Sequence, residues 1–286
     1  MTNNKPIPIL PIGVRIILIL ISYVFVSGLF GLFGYLIVDG NLNNFSQPQN
    51  LSLKQNFICQ GIGLIGTLLV VFVFRRCADL KSIVSMGFSL TNKVKDIVLG
   101  GLTAIFIICF GTVILVVFNQ ISIISIDFDR SDFIYGILLF ATISLGEEVL
   151  CRGYILNNLM DTMNKKWALI ITSCIFALLH SFNDNLNWLS ILNLVLAGIL
   201  LGSTYIYTKN IWYPISLHLF WNFIQACVFD YNVSGININS FVTFDISVKN
   251  IFNGGDFGFE GSILCTFLTV IAIILIHLLY RKKHVF

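Results

Sequence analysis

Six polar side chains stand in apolar surroundings, and their types suit hydrolysis. Glu147, Glu148 and Arg152 interrupt the stretch ATISLGEEVLCRGYIL at 141–156, His180 closes the run CIFALLH, and His218 and Asn222 stand four apart in HLFWN. A carboxylate or imidazole can take a proton from water, and imidazole and amide groups can face a developing negative charge. On a helix, Glu148 and Arg152 share a face and can neutralise each other, as can no basic residue three or four places from Glu147. Glu147 is turned about 100° from its neighbour. Phe176 lies four residues before His180 and so on the same face. His277 and His284, beside Arg281, Lys282 and Lys283, read as interfacial.

The medium sharpens the point. Of 286 residues 57% are hydrophobic and 11% charged, with a mean hydropathy of +0.89, a profile of a polytopic membrane protein and not of a soluble domain. A charge near the centre of a membrane helix costs about 2.5 to 3.5 kcal/mol, against about 0.3 to 0.6 gained per Leu, Ile, Phe or Val. An unpaired carboxylate there must meet another helix, water or a proton, which makes Glu147 a functional candidate. The net charge of +3 comes from basic residues gathered at the ends of apolar segments, so a nucleic-acid partner is not expected. The seven cysteines show no C-x-x-C spacing and read as small buried hydrophobes, six of them within apolar runs.

The expected fold is all-α: a polytopic membrane protein of about eight transmembrane helices with the active site inside the bundle, forming one integral membrane domain over 1–286 with its core at 133–229. The apolar segments run roughly over 9–38, 56–75, 97–118, 133–157, 167–182, 188–207, 212–230 and 261–280. With both termini cytoplasmic, Lys5, Arg15, Arg75, Arg76, Lys81, Lys93, Lys95, Lys165, Lys166, Lys209, Arg281, Lys282 and Lys283 fall inside and only Lys54, Arg130 and Lys249 outside, as the positive-inside rule requires of a cell-membrane protein. The stretch 75–96 is expected along the inner surface, and 231–260 as a mobile external loop. Gly28, Gly31, Gly34, Gly61, Gly66, Gly198 and Gly202 have spacings that let helices pack closely. One conflict appears: His180 falls near the outer end of its short segment, Glu147 and His218 in the inner half.

Glu147-Glu148-x-x-x-Arg152, then Phe176-x-x-x-His180, then His218-x-x-x-Asn222, in this order on successive helices, resembles the CPBP intramembrane proteases, also called the Abi or CAAX-protease family. That family includes proteases that remove the last three residues of prenylated CAAX proteins, and bacterial members linked to bacteriocin self-immunity and pheromone processing. The resemblance implies an intramembrane endopeptidase in which Glu147 is the general base, His180 holds the attacking water, and His218 and Asn222 stabilise the oxyanion. Glu148 and Arg152 form the structural pair. The substrate would be a membrane-associated protein or peptide in the lipid bilayer. The alternative is a catalytically silent scaffold or bacteriocin self-immunity protein; a transporter would show an inverted repeat, which the sequence lacks. Glu147, His180 and His218 are also the donor set of a hydrolytic zinc site. The H-E-x-x-H spacing is absent, and a metal-free mechanism is expected.

Overall fold

A computed structural model describes residues 10–40, 51–91, 93–233, 240–246 and 248–281; the basic residues Lys5, Lys282 and Lys283, and His284, lie outside this range. Eight helices correspond one to one with the apolar segments. They are α1 (Ile12–Val38), α2 (Leu53–Ala78), α3 (Val94–Val117), α4 (Arg130–Met160), α5 (Lys165–Leu179), α6 (Trp188–Thr208), α7 (Trp212–Phe223) and α8 (Ile263–Tyr280). Six are long and apolar enough to cross a membrane, whereas α5 and α7, with 15 and 12 residues, are not. A π-helical turn, Ile224–Val228, prolongs α7.

Helix starts follow local chemistry. Ser52 and Gln55 form a capping box ahead of α2, Asn187 and Ser190 another ahead of α6, and the Asp129, Asn164 and Ser262 side chains accept from the first turns of α4, α5 and α8. At its other end α5 stops at His180, where the polar run SFNDNLN takes over. That stop places the histidine at the level of Glu147, which resolves the conflict of depth.

The outer helices present apolar side chains outward, with Phe25 and Phe106 about two-thirds exposed. By contrast, α6 and α7 are buried along most of their length and form the centre of the bundle. Gly34, Gly66, Gly198 and Gly202 pack as expected: an added Cβ would lie 2.8 Å from Ser173 at Gly198 and 2.4 Å from Leu169 at Gly202. Gly28, Gly31 and Gly61 do not, since nothing lies within 4 Å of a Cβ there. Gly28 and Gly31 instead line a groove between α1, α2 and α4.

Two expectations are refined. The stretch 75–96 is exposed at Arg76, Leu80, Val84, Leu90 and Val94 but anchored in the interior at three points: Arg75 and Asp79 are fully buried, and Met86 is buried with its carbonyl accepting from Tyr205. Asp79 is ion-paired with Arg15 of α1 and with Arg75, and accepts from Asn158 Nδ2 at 2.7 Å and Tyr154 Oη at 3.3 Å. Arg75 also donates to Asn157, Asn158 and Ser85 at 2.7 to 2.9 Å. The charges of this stretch thus pair with one another in the interior, which single-residue polarity could not reveal. The described part of 231–260 is not a free loop. Val242–Asp245 pairs antiparallel with Ser122–Ile126 in a two-stranded ribbon, and 3₁₀ turns at Gly255–Phe257 and Phe259–Gly261 bury Phe257 and Phe259.

Candidate active site

All six sequence-predicted residues converge at the meeting of α4, α5 and α7. Glu147 and Glu148 are followed at once by a π-helical stretch, Val149–Leu156, a wider coil that recurs at functional sites. Arg152 Nη1 donates to Glu148 Oε1 at 2.7 Å with both side chains wholly buried. The same Glu148 oxygen meets His218 Nδ1 at 2.9 Å, so this carboxylate joins α4 to α7 as well as neutralising the arginine. Arg152 Nη2 reaches the Gly198 carbonyl of α6 at 3.2 Å.

Phe176 does more than share a face with His180. It lies under the Arg152 guanidinium, 4.5 Å from the ring centre, and against both imidazoles, with ring centres 4.5 Å from His180 and 5.9 Å from His218. One aromatic ring therefore spaces the two histidines and holds the cation of the structural pair.

Glu147 is placed differently. Its Oε2 faces His180 Nε2 at 3.6 Å and His218 Nε2 at 3.9 Å, and it is buried without a hydrogen-bond partner among the described residues. The far nitrogens fix the tautomers. His180 Nδ1 lies 2.8 Å from the Phe176 carbonyl, which can only accept, and His218 Nδ1 faces the Glu148 carboxylate. Each neutral ring accordingly carries its proton on Nδ1 and turns a lone pair toward Glu147.

Glu147, His180, His218 and Asn222 line one cavity of ≈ 30 Å³. A water needs about 10 to 15 Å³ on this scale, so there is room for two. On its other side Glu147 also lines the groove between α1, α2 and α4, whose volume is ≈ 470 Å³. The glutamate thus stands between a water-sized chamber and a space large enough for a peptide segment.

Besides apolar residues, sequence reading missed two members of the chamber wall with hydrogen-bonding groups, Trp221 and Glu260. Trp221 is legible in retrospect, lying one residue before Asn222 on a helix that the motif had already marked. Glu260 carried no such signal, because it belongs to the segment read as a mobile loop.

Comparison with known protein families gives a match to the segment that holds the six sequence-predicted residues. Residues 129–224 match the family model described as type II CAAX prenyl endopeptidase Rce1-like. The matched segment carries all three motifs and is similar to the CPBP, or CAAX-protease, family. No curated protein matches the chain.

Proposed function

We propose that the protein is an intramembrane endopeptidase that hydrolyses a peptide bond of a membrane-associated protein or peptide with water activated by Glu147. The observation that carries this reading is the buried, unpartnered Glu147 Oε2 facing the Nε2 atoms of two imidazoles across 3.6 and 3.9 Å. A water molecule between the carboxylate and the His180 ring would donate one hydrogen to each.

In the proposed reaction Glu147 takes one proton of that water while His180 Nε2 accepts its other hydrogen. The water oxygen bonds to the scissile carbonyl carbon, and the carbonyl π electrons move to its oxygen. Asn222 can donate to this oxyanion in any protonation state. His218 can join it only as an imidazolium, since its Nδ1 proton is engaged by Glu148. Collapse of the intermediate breaks the C–N bond, and the proton held by Glu147 passes to the leaving amine. The substrate segment reaches Glu147 through the groove between α1, α2 and α4.

Zinc offers a competing account of the same residues, Glu147, His180 and His218. The donor types match, and each histidine has its other nitrogen anchored, as metal ligands do. The spacing matches less well. Bonds of about 2.0 to 2.1 Å put tetrahedral ligand atoms roughly 3.3 Å apart, closer than the separations here. A zinc-bound Glu147 would also lose its role as base, so no step is assigned to a metal.

The test compares membrane proteomes and released peptides from cells carrying the wild type or E147A. We expect a cleavage product that the variant lacks, and purified protein acting on that substrate should keep most of its activity after dialysis against a strong chelator. No difference between the two cell types would refute the peptidase; activity lost on dialysis and restored by zinc would refute the metal-free mechanism. We further place both termini in the cytoplasm on the bias of basic residues. Reporters at Lys93 and Asn250 should then mark opposite sides of the membrane, and both on one side would overturn the orientation.

A further inference from the structure

Glu260 is a second carboxylate in the catalytic chamber, beside Glu147, brought there by the 3₁₀ turn that precedes α8. Its position is firmly held. Asn193 of α6 donates to the backbone carbonyls of Glu260 and Ser262 at 2.7 and 2.9 Å, and Thr266 donates to the Asn193 side chain at 2.6 Å. Glu260 Oε1 accepts from Trp221 Nε1 at 2.6 Å and more weakly from Gln225 Nε2 at 3.4 Å. These donors are neutral. Among the described residues no lysine or arginine comes within ion-pair distance of Glu260, and its second oxygen, Oε2, has no hydrogen bond. Arg152, the nearest motif cation, is already engaged by Glu148 and the Gly198 carbonyl. The rest of the wall beside Glu260 includes the apolar Leu194, Ala197 and Leu201.

A half-buried carboxylate with one free oxygen, held by neutral donors beside apolar walls, can form a charge-assisted hydrogen bond with a cation that arrives with the ligand. The chamber limits which cation. Its ≈ 30 Å³ admits a group the size of a water molecule, which suits a primary ammonium and is too small for the planar guanidinium of arginine. We propose that Glu260 is a specificity-determining residue that receives a lysine-type ammonium of the substrate next to the scissile bond. The proposal rests on the endopeptidase reading for its location, but its charge preference can be measured without turnover.

The experiment uses the full chain in liposomes and a set of apolar quenched-fluorescent peptides in which one position at a time is lysine, arginine or norleucine. Norleucine keeps the length of the lysine stem without its charge. At one position close to the cut, wild-type protein should cleave the lysine peptide about tenfold to a hundredfold more efficiently than the norleucine peptide, the range of a charge-assisted hydrogen bond. Arginine should gain little over norleucine. In E260Q, which keeps an acceptor for Trp221, the lysine-to-norleucine ratio in kcat/KM should fall to about one. An unchanged ratio in E260Q would overturn the proposal, even if all peptides were cleaved more slowly, since Glu260 would then act only by holding Trp221. The same peptides are also titrated against E147Q and E147Q/E260Q by fluorescence anisotropy. If no peptide is cleaved in a Glu147-dependent way, the endopeptidase reading fails, yet a lysine preference in binding that disappears with E260Q would still sustain the ammonium site. Equal affinity for lysine and norleucine peptides would refute it.

Discussion

Two clusters of buried charge lie along α4, and they are finished to different degrees. At the Arg75 end, Asp79 takes Arg15, Arg75, Asn158 and Tyr154, and among the described residues Arg75 Nε is the one buried atom of this cluster left without a partner. At the motif end, Glu147 Oε2, Glu148 Oε2 and Arg152 Nε are all buried and unpartnered. Both clusters are expensive to build in a bundle surrounded by lipid. The first returns that cost as attachment, tying α1, α2 and α4 together. The second leaves hydrogen-bonding capacity open at Glu147, which faces a chamber, and open capacity is what a reaction needs.

The contrast can be broken by removing one carboxylate at a time. The largest loss of stability is expected for D79A, which strands two arginines in the interior. Breaking one buried pair typically costs about 3 to 5 kcal/mol, so this variant should yield no folded protein on detergent extraction. A normal yield and melting temperature would show that the Asp79 cluster is not the attachment described. E148Q should come next, with a loss of about 3 to 5 kcal/mol from the unpaired Arg152. Exchanging the pair, E148R with R152E, should restore part of the extracted protein but no cleavage, because His218 Nδ1 loses its acceptor. Recovery of both would mean that Glu148 serves charge balance alone. E147Q should change the melting temperature least, since its Oε2 has no hydrogen bond to lose, while turnover falls by about 10² to 10⁴. A variant that melts early, or one that still cleaves, would assign Glu147 to the structural class.

Much of this was legible in the sequence. Hydropathy located the eight helices because a membrane helix must be apolar over its length, and i, i+4 spacing paired Glu148 with Arg152 and placed His218 beside Asn222. What escaped was non-local. The spacing shows nothing of Glu148 reaching His218 across 70 residues or of Phe176 supporting Arg152. Arg75 and Asp79 looked like surface charges because each residue alone prefers water, and only their mutual pairing makes burial tolerable. The glycine spacing likewise predicted close packing at Gly28 and Gly31, where an added Cβ would meet nothing within 4 Å. Glu260 was hidden by its setting, since the Gly- and Asn-rich run around it has the composition of a loop.

The shortness of α5 has a further consequence. Fifteen residues rise about 22 Å, well below the hydrocarbon thickness of about 30 Å. Lipid beside this helix faces a hydrophobic mismatch, met by thinning the bilayer or by exposing the helix end. That end is His180, followed by Ser181, Asn183, Asp184 and Asn185, with Phe182 almost wholly exposed. A bilayer thinned at this point would bring the aqueous phase down to the imidazole. The proposed hydrolysis consumes one water per turnover, and this truncated helix would supply the route by which each is replaced.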